Sequence, residues 1–216
     1  MRNALGQKFF NRPALKVAED LLGKYLCRGQ LGGETAKCYL ITETEAYVGP
    51  EDKASHASRG RTKRNAPMFG EAGRWYVYFT YGMHWMLNIV TGKKDYPAAV
   101  LIRGVSDFSP QHFARHGYFF AKKFLVLAPS RSQGLAKHLS KNRLNGPAKL
   151  TKFLKINKLF NAKIANKKNK LWIEDRGIKI TKSQITATPR IGVDYAKERA
   201  KKPYRFLFRR PVKSGT

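Results

Sequence analysis

The sequence predicts an α+β fold in one domain spanning residues 1–216. Three observations predict it. A helical apolar pattern follows Pro13, apolar strands succeed one another between residues 75 and 105, and neither a repeat nor a convincing linker divides the chain. Pro13 suits a first helical position, Ala14, Leu15, Ala18, Leu21 and Leu22 fall on one face, and Gly23 provides a stop. Residues 24–28 and 35–47 read as strands around the turn-rich GQLGGE, which resembles a hairpin loop. Residues 48–73 are polar and rich in Gly, Pro and charge, and a structureless loop of that length inside a compact domain is often functional. Strands at 75–80 and 83–91 flank Tyr81-Gly82, and a third at 98–105 completes an antiparallel meander. Residues 111–142 read as partly helical and strongly basic. Beyond them Asn145 can cap a helix, with Pro147 near the first turn and Leu150, Phe153 and Leu154 on one face. The remainder holds three short strands, LWIED, GIKIT and RIGV, between Lys-rich connections.

Lys and Arg number 43 against 14 Asp and Glu, a net charge of +29, yet 42% of residues are hydrophobic and 12% aromatic. A domain of this length buries roughly 70% of its unfolded surface. The chain is therefore a folded domain and not a disordered polycation. A surplus of this size points to a polyanion, because Lys and Arg that neutralise phosphates release condensed counterions. DNA, RNA and an anionic membrane all satisfy that condition. Residues 1–22 mix Arg2, Lys8, Arg12, Lys16, Glu19 and Asp20 among apolar positions, which is unlike a secretory signal. Cys27 and Cys38 form no CxxC, so the expectation is a reduced, intracellular protein without structural zinc; a cross-strand Cys27–Cys38 bridge is the lesser alternative. The apolar run 75–90 approaches the length of about 20 residues needed to span a bilayer. Thr80, Gly82, His84 and Asn88 interrupt it, and alternation favours strand, turn and strand.

There is no GxxxxGK[ST] phosphate loop, no GxSxG elbow, no HExxH and no PCxxC, which disfavours nucleotide-triphosphate and metal chemistry. Candidate chemistry lies between residues 43 and 103. Alternation in ITETEAY puts Glu43, Glu45 and Tyr47 on one side of a strand and Thr42 and Thr44 on the other. One reading is a solvated face; the other is a carboxylate that activates water beside a flat phenol. An acidic pair is unusual in so basic a chain, and repulsion from phosphates makes it costly without a purpose. His56 alone reads as a surface or loop-packing histidine. Tyr76 and Tyr78 alternate with Val77 and Phe79, so they face either a cleft or an aromatic core. Tyr81-Gly82-Met83-His84 reads as an exposed wedge, of the kind that separates stacked bases.

The string ETEAYVGPEDKASHA, followed by RTKRN, MFG, WYVYFTYGMHWMLN, AVLIR, LNGPAKLTKFLKIN, TPRIGV and PYRF, resembles the alkyladenine (3-methylpurine) DNA glycosylase family. The blocks keep the family's order across residues 9–208, which is far more specific than any single motif. Two departures stand out. Met86 occupies a position where many members have Cys, and GVSDFSPQHF after Arg103 leaves 105–143 outside the secure match.

The resemblance implies an α+β domain around a curved antiparallel sheet with flanking helices, similar to the formyltransferase C-terminal-domain-like fold. It implies no cofactor and no metal, a monomer acting on double-stranded DNA with damaged purines, an intracellular DNA-associated location and no membrane attachment. Carried over by position, Glu45 orients and deprotonates the attacking water, while Arg103 and the carbonyl of Ile191 help hold it. Tyr47, His56 and Tyr78 sandwich the flipped base, and a backbone donor near His56 reads its edge. Asn88 crowds a guanine 2-amino group. Tyr81 fills the gap in the duplex, flanked by Met83 and His84. The runner-up is a noncatalytic basic nucleic-acid-binding protein of the same fold, and a third reading is membrane-surface binding through the Lys-rich tail.

Overall fold

Ten antiparallel strands form one strongly curled sheet in the computed structural model, which describes residues 3–29, 35–106, 118–121, 124–127 and 143–208. In chain order the main elements are β1 (Asn3–Ala4), α1 (Gln7–Phe10), α2 (Ala14–Leu21), β2 (Tyr25–Arg28), β3 (Lys37–Tyr47), β4 (Trp75–Thr80), β5 (His84–Val90) and β6 (Ala99–Ser106). There follow β7 (Tyr118–Ala121), β8 (Phe124–Leu127), β9 (Arg143–Asn145), α3 (Pro147–Phe153), β10 (Leu171–Asp175), β11 (Ile185–Thr188) and β12 (Arg205–Phe208). The sheet runs β1-β10-β2-β3-β6-β5-β4, and β7 pairs with β8 separately. β3 is the hub. Its first half pairs with β2, its second half with β12 on the same edge, and β6 runs along the other edge.

Strand alternation gives the sheet two unlike faces. Ile41, Trp75, Val77, Leu87, Ile89, Val100 and Ile102 point to one face and form the main core with α2. The α2 stripe is Ala14, Val17, Ala18 and Leu21, spaced as a helix requires, with Leu15 only partly buried. Thr44 faces this side and its hydroxyl donates to the Ala18 carbonyl at 2.9 Å, joining helix to hub strand. Trp75 is fully buried and donates from its indole N–H to the Leu171 carbonyl at 3.1 Å. Burial of each large apolar side chain contributes about 1.5–3 kcal/mol before the entropy cost of ordering it. The opposite face carries Glu45, Tyr76, Tyr78, Asn88, Leu101 and Arg103, which line a cavity.

The meander β4-β5-β6 and helix α2 agree with the sequence reading, and the run at 75–90 is a hairpin. No helix among the described residues is long and apolar enough to cross a membrane. Four expectations are corrected. GIKIT and RIGV are not strands; the strand between them is Ile185–Thr188, because β12 offers its edge to ITAT. Asn145 lies in β9 and Gly146 takes the cap position of α3, with no side-chain cap. Cys27 and Cys38 are disulfide-bonded, not free thiols, because the β2–β3 register sets them directly opposite each other. Finally, the acidic strand face is buried, not solvated. GQLGGE lies almost wholly outside the described residues, as does most of 111–142 apart from β7 and β8.

Residues 48–73 are organised by two buried polar side chains. Asn65 donates to the carbonyls of His56 and Gly60 and accepts from the Thr62 N–H. Asp52 accepts from the backbone N–H groups of Val48 and Ala54, and forms a fully buried bidentate pair with Arg190 at 2.6 and 2.8 Å. Arg190 also donates to the Ala46 carbonyl at 2.8 Å. One guanidinium thus ties the end of β3, the long loop and the segment after β11 together. Asp52→Ala leaves Arg190 buried without its counter-charge, and a loss of about 3–5 kcal/mol is expected. Urea unfolding checks it; a change under about 1 kcal/mol would mean that the pair is not structurally important.

Candidate active site

Four neighbouring strands contribute alternate residues to a cavity of about 290 Å³, at the small end of ligand pockets. β3 supplies Glu45 and Tyr47, β4 supplies Tyr76 and Tyr78, β5 supplies Met86 and Asn88, and β6 supplies Leu101 and Arg103. The loop after β3 adds His56, and the segment after β11 adds Ile191 and Tyr195.

Glu45 has no exposed surface. Its Oε1 accepts from the Ile191 N–H at 2.9 Å and lies 3.4 Å from an Arg103 guanidinium nitrogen, while its Oε2 accepts from the Tyr47 hydroxyl at 3.0 Å. Burial raises its pKa above the usual carboxylate range, and the Glu43 charge adds to the rise. Arg103, the Ile191 N–H and Tyr47 oppose it without cancelling it. The group is therefore a stronger base than a free carboxylate, held in a fixed orientation by two hydrogen-bond donors and the Arg103 ion pair. Burial, followed by the neighbouring Glu45 charge, pushes the Tyr47 phenol well above its ordinary range, so it stays a donor.

His56 and Tyr78 meet edge to face with ring centroids 4.5 Å apart, and the His56 Nδ1 lies 3.0 Å from the Tyr76 hydroxyl. Although the histidine is exposed at the mouth, desolvation by these walls and the Arg64 charge hold its pKa below the usual value, favouring neutral imidazole. Arg64 lies over the Tyr78 ring at 5.3 Å and donates to the Phe79 carbonyl at 2.8 Å. Asn88 is buried and donates from Nδ2 to the Tyr76 carbonyl at 3.1 Å.

At the rim, the β4–β5 turn projects Tyr81 and Met83, which are 81% and 67% exposed. Tyr81 and Gly82 both have positive φ, and the Met83 N–H closes the turn on the Thr80 carbonyl at 3.2 Å. Glycine accepts that geometry freely, whereas a tyrosine there costs on the order of 1 kcal/mol or more. An aromatic both strained and solvated has no folding rationale at this tip. His84 begins β5 opposite Thr80 and is half-buried.

The structure brings Glu45, Arg103, Ile191, Tyr47, His56, Tyr78 and Asn88 into one pocket, with Tyr81 on its lining and Met83 and His84 in the adjoining turn and strand. Ile191 reaches Glu45 through its N–H. Sequence reasoning missed four contributors: Arg64, Tyr195, the Asp52–Arg190 pair and the ion pairs of Glu43. Arg64 stands in the RTKRN block and Arg190 in TPRIGV, so both lay inside recognised strings. Tyr195 carried no signal of its own.

Residues 8–211 match the family described as methylpurine-DNA glycosylase. A protein of Methanocella arvoryzae is 42% identical over 202 residues, covering 94% of this chain and 90% of its own length. One of Clostridium botulinum is 39% identical, with 95% of each chain covered, and one of Ehrlichia chaffeensis is 38% identical over 90% of this chain and 89% of its own. Each of the three bears the name "putative 3-methyladenine DNA glycosylase". These matches place the chain with the enzymes that remove bases from DNA. The chain is a member of the methylpurine-DNA glycosylase family.

The Glu45 environment has a consequence for stability. A carboxyl whose pKa is raised by folding contributes most below its unfolded pKa, and that contribution is lost as pH rises through the folded value. At neutral pH the charge therefore opposes folding. Glu45→Gln is expected to melt at a higher temperature than the wild type at pH 7, with the gap closing on acidification. Calorimetry at several pH values reads this, and a lower Tm for the variant at pH 7 would contradict it.

Proposed function

We propose that the protein is a monofunctional glycosylase that flips a damaged purine out of duplex DNA and hydrolyses its N-glycosidic bond. The observation that carries this reading is the pairing of a fully buried carboxylate, held by two hydrogen bonds and an ion pair, with an aromatic pocket whose rim bears an exposed, strained tyrosine. An enzyme acting on a base within a duplex must extrude it, and flipping costs a few kcal/mol. Tyr81 enters the vacated stack and offsets part of that cost, with Met83 and His84 beside it.

The extruded base lies among Tyr47, His56 and Tyr78, its edge read by a backbone donor near His56. An alkylated purine is cationic, and electron-rich rings attract it by about 0.5–2 kcal/mol. Neutral His56 adds no repulsion. Asn88 crowds a 2-amino group and so disfavours normal guanine. Bond cleavage passes through an oxocarbenium-like sugar, which the Glu45 carboxylate stabilises while it takes the proton of the attacking water. Arg103 and the Ile191 carbonyl hold that water. The products are free base and an intact abasic strand. The substrate range comprises alkylated adenine and guanine, hypoxanthine and ethenoadenine. The protein acts as one monomeric domain on DNA inside the cell.

Duplexes carrying single defined lesions test this. The wild type is expected to release the base, with strand scission only after alkali. Glu45→Gln is expected to bind the duplex and to cleave at least about 100-fold more slowly. Undiminished cleavage by that variant would remove Glu45 from the role. The rate should also fall on acidification, since protonating Glu45 removes the base and protonating His56 places a cation against a cationic purine.

A further inference from the structure

We infer that Glu43 and Arg205 are positioning residues for Glu45: Glu43, anchored by Arg205, shares the Arg103 guanidinium with the pocket carboxylate and so sets how closely Arg103 pairs with Glu45. The inference rests on the reading of Glu45 as the base.

Glu43 is buried, and its Oε1 accepts from two guanidinium Nε groups, Arg205 at 2.6 Å and Arg103 at 3.0 Å. Arg103 turns a second nitrogen toward Glu45 Oε1 at 3.4 Å. The two cations come from opposite edges of β3, Arg205 from β12 and Arg103 from β6. Local structure is adapted to this meeting. The β3–β6 ladder becomes irregular at Glu43, which pairs with Gly104, and regains its register at Thr44 and Ile102. Gly104 leaves the space: a Cβ there would lie 3.1 Å from the Glu43 Cβ.

Glu43, Glu45, Arg103 and Arg205 form a chain of alternating charges that sums to zero. Arg103 is shared between two carboxylates, so its position depends on how strongly each attracts it. Glu43 fully committed to Arg103 would draw that guanidinium away from Glu45. Arg205 occupies part of Glu43 and limits the draw. Removing Glu43 would release Arg103 to close fully on Glu45. Loss of the Glu43 charge lowers the Glu45 titration whatever else Glu43 does. The discriminating contrast therefore lies at Arg205, which does not itself face Glu45: a mere strand clip between β12 and β3 would leave that titration unmoved on removal of Arg205, whereas a positioning device raises it.

The groups facing Glu45 are Glu43 and Tyr47 from β3, Arg103 from β6, Tyr78 from β4, and Arg190 with the Ile191 N–H from the segment after β11. Of these groups only Glu43 is itself substituted; Arg205 lies on β12, outside the set. The test measures single-turnover base release from a lesion duplex against pH, and the carboxyl carbon NMR titration of Glu45, in wild type, Glu43→Gln, Arg205→Met and Arg205→Lys. Glu43→Gln should move the acid limb and the Glu45 titration to lower pH, with the plateau rate down about tenfold. Arg205→Met should move both to higher pH, and Arg205→Lys should restore the wild-type position. Duplex affinity should stay near wild type in all three.

Equal rate losses at every pH with an unmoved Glu45 titration in Arg205→Met would overturn the proposal in favour of a strand clip. Should Glu43→Gln fail to fold, the contrast between Arg205→Met and Arg205→Lys decides alone. A wild-type protein that releases no base would refute the glycosylase reading of the site, and the NMR titration would still support or overturn the coupling.

Discussion

The burial of the Glu45 carboxylate is the constraint on which the rest of this structure depends. A charge without water around it is stable only if donors replace the lost hydration. Two donors and one counter-charge do so here, and each arrives from a different part of the chain: the Tyr47 hydroxyl two residues along the same strand, the Arg103 guanidinium from β6, and the Ile191 N–H from the segment after β11. The third is the most demanding, because a backbone N–H can be aimed only by fixing its whole segment. Arg190, the preceding residue, provides that fixation by clamping to Asp52 and to the Ala46 carbonyl. The buried Asp52–Arg190 pair is thus a positional device for an N–H, and its own desolvation is compensated by bidentate geometry.

The two-faced sheet explains how such a charge coexists with an apolar core. Residues 44, 77, 87, 89, 100 and 102 face α2 and the core, while residues 45, 76, 78, 88, 101 and 103 face the cavity. A slip of one residue in any of these strands would exchange the faces and bury the wrong set. Register is therefore enforced strongly. Thr44 to Ala18, Trp75 to Leu171 and the closed turn at Tyr81-Gly82 all oppose a slip.

Alternation made the cavity face readable from sequence, since Glu43, Glu45 and Tyr47 were separated from Thr42 and Thr44 on spacing alone. The expectation that Arg103, Ile191 and Asn88 stand at the site came from ordered strings of residues and not from composition, and all three line the cavity. What stayed hidden depends on pairing at a distance. Asp52 and Arg190 lie 138 residues apart, and nothing local in either marks the partner. Cys27 and Cys38 are bonded because the hairpin register sets them opposite each other, and the turn-rich stretch between them left that register undefined. GIKIT alternates like a strand, yet ITAT took the place because pairing is decided by the edge of β12. Tyr195 was invisible because a lone exposed aromatic has no pattern to belong to.

The excess of 29 positive charges and the acidic centre act over different ranges. Interactions between solvated charges fade beyond roughly 8 Å at physiological ionic strength. Surface lysines can gather a polyanion along the outside of the protein, but they contribute little to the state of a carboxylate inside it. That state is set by neighbours within hydrogen-bonding reach, and among the charged ones Arg103 serves both Glu43 and Glu45. Substituting surface lysines should therefore alter how tightly DNA is held and how salt weakens that hold. The pH dependence of the chemistry should follow only the few groups that touch the buried pair. Attraction and titration are thereby separable in one small chain, because bulk water screens the surface charges and has no access to the Glu45 carboxylate.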